Sequence, residues 1–236
     1  DERKITVEQA SELLIRVRDR KLSTPDTWEV ALSAGADKRE TFTRLLGEGQ
    51  LGYLALLRNL RNMEGAGVDR ALIREALLAR KSGAEGGLPF QFVAAAQYAP
   101  ALAGMIDEAL KLAIADQDEL AGFTVWLVDV SGSMYQAKIS AKSELDRGDA
   151  AAALAGMAHC QDSRVFTFSE RLVEVPALGG MACIESIRRS QHNGGTWLGR
   201  AVRELASVVR GADRLIVITD EQSHDGVPPP PANLGR

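Results

Sequence analysis

"FTVWLVDVSGSMYQ", residues 123–136, decides the fold. "FTVWLVDV" is a continuous apolar run of strand length, the signature of a strand buried on both faces. It ends on Asp129, and Ser131 and Ser133 follow at once around Gly132. Three oxygen-bearing side chains thus stand at the mouth of a buried strand. No histidine follows nearby to activate a serine.

Downstream, strands and helices alternate. "LDRGDAAAALAGMAHC" (145–160) reads as a helix and places Cys160 in its apolar pattern. "SRVFTFS" and "RLVEVPA" read as two strands forming a hairpin-like edge, "MACIESIRRSQ" and "TWLGRAVRELASVVRG" as helices, and "DRLIVITDEQ" as a further buried strand. That grammar predicts an open, doubly wound α/β sheet with helices on both faces. Four consecutive prolines at 228–231 can continue neither a helix nor a central strand, so the sheet reads as truncated.

Upstream the pattern is helix after helix. Thr6 and Gln9 form a capping box opening "TVEQASELLIRVRDRK". In "STPDTWEVALSAG" the expectation is Thr24 as N-cap, Pro25 at the first helical position and Gly35 as stop. "LGYLALLRNLRNM" repeats leucine at helical spacing, and "VDRALIREALLARKSG", "PFQFVAAAQYA" and "PALAGMIDEALKLAIADQDE" are helix-sized. A solenoid of paired helices and a plain bundle both fit. The expected organisation is a helical segment over 1–120 and an α/β domain over 121–236.

The chain has 236 residues, 45% hydrophobic and 25% charged, with net charge −4, which suits folded protein and not a uniformly basic nucleic-acid binder. Residues 16–81 nevertheless carry thirteen Lys/Arg against nine Asp/Glu. A basic face and an ordinary solvated helix surface explain this equally well. No run reaches membrane-span length and no secretory signal opens the chain. Cys160 and Cys183 have neither disulfide-framework nor metal spacing, and read as core thiols of a cytosolic protein.

In open α/β sheets, ligands gather at the carboxyl ends of strands. The first strand delivers Asp129, Ser131 and Ser133, the turn "HNGGTW" delivers Thr196 at a helix start, and "LIVITDEQ" delivers Asp220. Two carboxylates and three hydroxyls are hard oxygen donors, suited to Mg²⁺ or Mn²⁺ and not to zinc. "VSGSM" is not a nucleophile elbow, His159 sits in a helical pattern, and only His192 and His224 lie near strand-end loops, so a serine hydrolase is disfavoured. "GAEGG" (83–87) lacks the lysine of a phosphate loop and reads as a flexible break.

The D-x-S-G-S at 129–133, the distant threonine and the strand-end aspartate resemble the metal-ion-dependent adhesion site of von Willebrand factor A domains. That resemblance implies that Ser131 and Ser133 ligate the metal directly and Thr196 directly or through water. Asp129 and Asp220 would hold its waters, Gly194 and Gly195 would let the threonine loop approach, and an open position would dock an acidic ligand.

"ALLRNLRNM", "PFQFVAAAQYA" and the strand into "VDVSGSM" together resemble the Ro ribonucleoprotein (TROVE-domain) family, whose HEAT-like helical repeats are joined to a von Willebrand A domain. The resemblance implies a cytoplasmic, non-catalytic RNA-binding scaffold taking small structured Y RNAs and single-stranded RNA ends in RNA quality control. It also implies an exoribonuclease partner such as polynucleotide phosphorylase. Arg58, Arg61, Arg70, Arg74, Arg80 and Lys81 are the candidate RNA contacts, Arg58 and Arg61 sharing one helix face. The alternative is a metal-dependent protein-docking module whose helices only brace it.

Overall fold

The structure is a computed structural model describing residues 6–19, 21, 26–79, 89–140, 143 and 145–229. The helical half holds α1 (Val7–Arg18), α2 (Trp28–Ser33), α3 (Lys38–Gly47), α4 (Tyr53–Gly65), α5 (Arg70–Leu78), α6 (Pro89–Tyr98) and α7 (Ala103–Ala115). The α/β half follows with β1 (Leu120–Asp129), α8 (Gly132–Gln136), α9 (Arg147–Gly156), β2 (Cys160–Phe168), β3 (Leu172–Val175), α10 (Met181–Arg188), α11 (Leu198–Val208) and β4 (Arg214–Ile218). Secondary structure therefore changes character between Ala115 and Leu120.

Side-chain caps explain several helix starts. The Thr6 hydroxyl accepts from the Gln9 amide while the Gln9 side chain accepts from the Thr6 amide, the reciprocal box read from sequence. α2 corrects the expectation: Thr27 is its N-cap, accepting from Val30 N–H, while Thr24 and Pro25 lie outside the described residues. Gly35 does end that helix, at φ 85°. α3 was not singled out by its mostly polar sequence. Asp37 caps it, and Phe42, Leu45 and Leu46 bury one face.

The helices pack pairwise on aromatic anchors: Trp28 stacks on Phe42 at 6.4 Å, and Tyr53 meets Phe92 at 6.1 Å. Tyr53 spends its hydroxyl on the Leu77 carbonyl at 3.1 Å. α6 buries Phe92, Val93, Ala95 and Ala96 because it lies between other helices of its own half and α9 of the next.

The four-stranded sheet has the order β3-β2-β1-β4. β1 runs parallel to both β2 and β4, and β3 returns antiparallel as an edge. Alternation along β1 divides the core. Trp126, Val128 and Val130 join the cluster containing α9, α10 and the helical half, whereas Val125 and Leu127 join Ala201, Val202 and Leu205 of α11. Helices thus cover both faces, as the alternation of elements predicts, and one continuous apolar core ties the helical half to the sheet.

The seam between halves is also polar. Gln97 on α6 donates to Asp149 on α9 at 3.3 Å, and Asp149 meets Arg188 of α10 at 3.0 Å without hydrogen-bond alignment. Two assignments are corrected here. Cys160 opens β2 instead of belonging to a helix, and His159 lies in the preceding loop with Nδ1 2.9 Å from the Gln117 carbonyl.

Candidate functional site

Strand register carries the functional side chains to one rim. Asp129 pairs with Phe168 across β1–β2, and Val128 pairs with Ile218 across β1–β4. Asp129, Ser169 and Thr219 therefore emerge at neighbouring carboxyl ends. β1 is also where the crossovers part, one connection leading to β2 and a later one to β4, so the rim lies at the topological switch point.

Asp129 is fully buried and both its oxygens are engaged. Oδ1 accepts from Ser131 N–H at 2.8 Å and Oδ2 from the Thr219 hydroxyl at 2.7 Å. Burial pushes its carboxyl above the ordinary range. The Ser131 and Thr219 hydrogen bonds oppose that push, and the nearby charge of Asp220 adds to it. Asp220 receives Arg147 of α9 at 3.4 Å, and its own Oδ1 accepts from Gln222 N–H at 3.4 Å.

The threonine loop reaches this rim through backbone. Gly132 N–H donates to the Gly194 carbonyl at 3.0 Å, Gly194 N–H to the Ser169 hydroxyl at 2.9 Å, and that hydroxyl to the Gly195 carbonyl at 3.0 Å. Thr196 follows, buried. Gly194 leaves room for the exposed Glu170 side chain, whose Oε1 would lie 2.5 Å from a Cβ there. At 195 it would meet the Trp197 and His224 rings at 3.2–3.4 Å.

The donor chemistry fits a hard divalent cation. Ser131 Oγ and Ser133 Oγ stand 3.2 Å apart. Adjacent oxygens of an octahedral Mg²⁺ site, each about 2.1 Å from the ion, are separated by about 3 Å. Two neighbouring carboxylates, one fully buried with no cationic side chain against it among the described residues, present negative charge that such an ion would relieve. Among the described residues no three His, Cys, Asp or Glu side chains cluster in metal-binding fashion.

No histidine nitrogen among the described residues hydrogen-bonds a serine hydroxyl. Ser131 shares its hydroxyl with Ser133, and His224 Nδ1 takes the Thr196 amide at 2.9 Å. Sequence reasoning missed Thr219, Ser169, Arg147 and Asp225. Thr219 was within reach, since it precedes Asp220 on the strand that ends at the rim. The others act across long sequence separations.

In the helical half, Arg58 and Arg61 are exposed on α4 with no acidic partner among the described residues. Arg70 pairs with Glu64 at 3.4 Å, and Arg74 grips Glu108 of α7 through two bonds of 2.5 and 3.1 Å. Arg80 and Lys81, like "GAEGG", lie outside the described residues. No helix among the described residues is long and apolar enough to cross a membrane.

The TROVE domain family model matches residues 16–96. No curated protein matches the sequence. The crystal structure of the Deinococcus radiodurans RO (RSR) protein shares the fold with a TM-score of 0.57 at 22% identity, over 81% of this chain and 44% of that one. The chain thus spans less than half the length of that protein. Helical repeats followed by a von Willebrand A-like sheet are the architecture common to both, so the chain carries a TROVE-domain match over residues 16–96 and has the fold of that Ro protein.

Proposed function

We propose that the protein is a non-catalytic RNA-binding scaffold of the Ro type, cytoplasmic, with a separate divalent-cation docking site on its α/β half. The observation that carries the RNA reading is the placement of Arg58 and Arg61 inside the TROVE segment. They lie one turn apart on α4, exposed and, among the described residues, without an acid to neutralise them. Free guanidinium groups on one helix face suit phosphate oxygens, which they meet as charge-assisted hydrogen-bond donors. Arg70 and Arg74 already hold acids, and Arg74 braces α5 against α7.

On this reading the ligands are small structured RNAs of the Y class and single-stranded RNA ends. The protein partner is an exoribonuclease such as polynucleotide phosphorylase, and the role is RNA quality control. Mg²⁺ or Mn²⁺ would be held by Ser131, Ser133 and Thr196, with Asp129 and Asp220 orienting its waters. Bound there, the ion supplies a Lewis-acidic docking point for an acidic group. Asp129 itself keeps the Ser131 turn closed and accepts from Thr219 at the strand end.

Filter binding of a structured RNA across a salt series tests the reading. Affinity should fall steeply with salt, and the pair Arg58→Glu, Arg61→Glu should weaken binding at least tenfold and flatten the salt slope by about 2. Absence of binding, or salt-independent binding, contradicts it and favours a protein-docking module braced by the helices.

A further inference from the structure

The chain does something unusual directly after Asp220. Glu221 has φ 64°, the one non-glycine among the described residues in left-handed backbone. Such a residue persists when its surroundings over-determine it, and it turns the chain back toward the rim. Ser223–Gly226 then crosses the start of α11 and is fastened at several points.

The first fastening is on Thr196. His224 N–H donates to the Thr196 carbonyl at 2.8 Å, and the Thr196 N–H donates to His224 Nδ1 at 2.9 Å. The His224 ring lies 5.7 Å from the Trp197 ring. The second fastening is on the helix itself. Asp225 Oδ1 accepts from Gly199 N–H at 2.8 Å, its Oδ2 from Arg200 N–H at 2.7 Å, and Arg203 reaches Oδ2 at 3.1 Å. Ser223 Oγ lies 3.0 Å from Asp225 Oδ1.

These contacts solve a problem that the helix start leaves open. Trp197, at the N-cap position of α11, offers no capping hydrogen bond, so the first amides need a carboxylate from elsewhere. Asp225 supplies it from 26 residues away. The fit is tight: a Cβ on Gly199 would lie 2.1 Å from the Gly226 carbonyl oxygen. The segment therefore leaves Asp220 at one end and grips Thr196 and α11 at the other, spanning two of the oxygen donors.

We propose that Ser223–Gly226 is a latch that sets the position of Thr196, with Asp225 as the positioning residue through which the latch governs divalent-cation affinity at the rim. The proposal rests on the cation reading of the hydroxyl set. Asp225 touches no reacting or ligating atom. It acts by holding the start of α11, and the latch to which His224 belongs, in one place, which preorganises Thr196 before a cation arrives.

The test uses the full chain and Mn²⁺ as probe, followed by electron paramagnetic resonance of the free ion, with amide hydrogen exchange at Thr196 and Gly199 as a second readout. Asp225→Ala should lower Mn²⁺ affinity at least tenfold and speed exchange at both amides at least tenfold. Asp225→Asn, which keeps one carbonyl acceptor, should recover part of both losses. Ile73→Val, a core truncation in α5 far from the rim, should change neither. Mn²⁺ affinity in Asp225→Ala within twofold of wild type, or an equal loss in Ile73→Val, overturns the latch while leaving the cation site standing. A wild-type chain that takes up no Mn²⁺ overturns the cation reading and the proposal with it.

Discussion

The amide of Gly132 donates to the carbonyl of Gly194 at 3.0 Å, joining the turn after β1 to the loop before α11 across 62 residues of chain. That single bond brings the Ser131/Ser133 turn and the Thr196 loop to one rim. Phe168 and Ser169, at the end of β2, are the anvil between them: Val130 N–H donates to the Phe168 carbonyl at 2.9 Å and Trp197 N–H to the Ser169 carbonyl at 3.1 Å. Site geometry therefore depends on backbone stitching as much as on the donor side chains.

Asp129→Asn should stabilise the cation-free protein and abolish its response to Mg²⁺. The carboxyl of Asp129 is raised above its ordinary value of 3.8, by burial first, so ionising it costs more in the fold than in the unfolded chain. A raised acid costs stability as pH climbs through its titration, and the neutral amide escapes that cost at pH 7. Thermal melts at pH 7 should show a cation-free rise of a few degrees, about 1 kcal/mol giving about 2–4 °C in a chain of this size, with no further rise on adding Mg²⁺. A lower melting temperature without Mg²⁺, or a preserved Mg²⁺ response, contradicts the assignment.

Gly148→Ala should damage the rim from behind. A Cβ at Gly148 would fall 2.5 Å from the Tyr135 ring, and Tyr135 sits two residues after Ser133 on α8. The ring is hemmed in, with its hydroxyl buried and unpartnered among the described residues. Overpacking of this kind costs about 1–3 kcal/mol, and the displaced α8 carries Ser133 with it. Denaturant unfolding should report the loss, and Mn²⁺ titration a weaker site. An unchanged midpoint would mean that Tyr135 moves aside freely.

Glu174→Gln should be less stable than wild type near neutrality and indistinguishable from it in acid. Arg164 grips both Glu174 oxygens at 2.7 and 2.8 Å, and that hydrogen bonding holds the carboxyl below its ordinary 4.5. A depressed acid contributes fully above its unfolded value and loses that contribution as pH falls through the folded one. The gap between the two proteins, measured by melting over a pH series, should close below about 4.5. A gap that persists in acid would assign it to packing of the Arg164 guanidinium over Phe166, 4.9 Å from the ring centre, instead of to charge.

How much of this was legible in the sequence follows from what each residue depends on. β1 and its Asp129, Ser131, Ser133 ending were readable because a continuous apolar run and the residues that close it are local facts. Asp220 and the open α/β sheet were readable for the same reason. Cys160 was misread because helix-like composition continues past Gly156, whereas the chain turns where a Gly156 Cβ would sit 3.0 Å from Ile184 of α10. Thr27 displaced Thr24 as a cap because two threonines near one helix start cannot be ranked without backbone geometry. Asp225, His224 and Arg147 were invisible for a deeper reason. Each works on a partner 26, 28 or 73 residues away, and no periodicity encodes that distance.

Crystals grown with Mn²⁺ and measured at the manganese absorption edge test the central claim most directly. The account predicts one anomalous peak at the carboxyl rim of the sheet, bonded to the hydroxyl oxygens of Ser131 and Ser133, with Thr196 and Asp220 facing it. A map with no peak there, or with Thr196 turned away from the 129–133 turn, would contradict it.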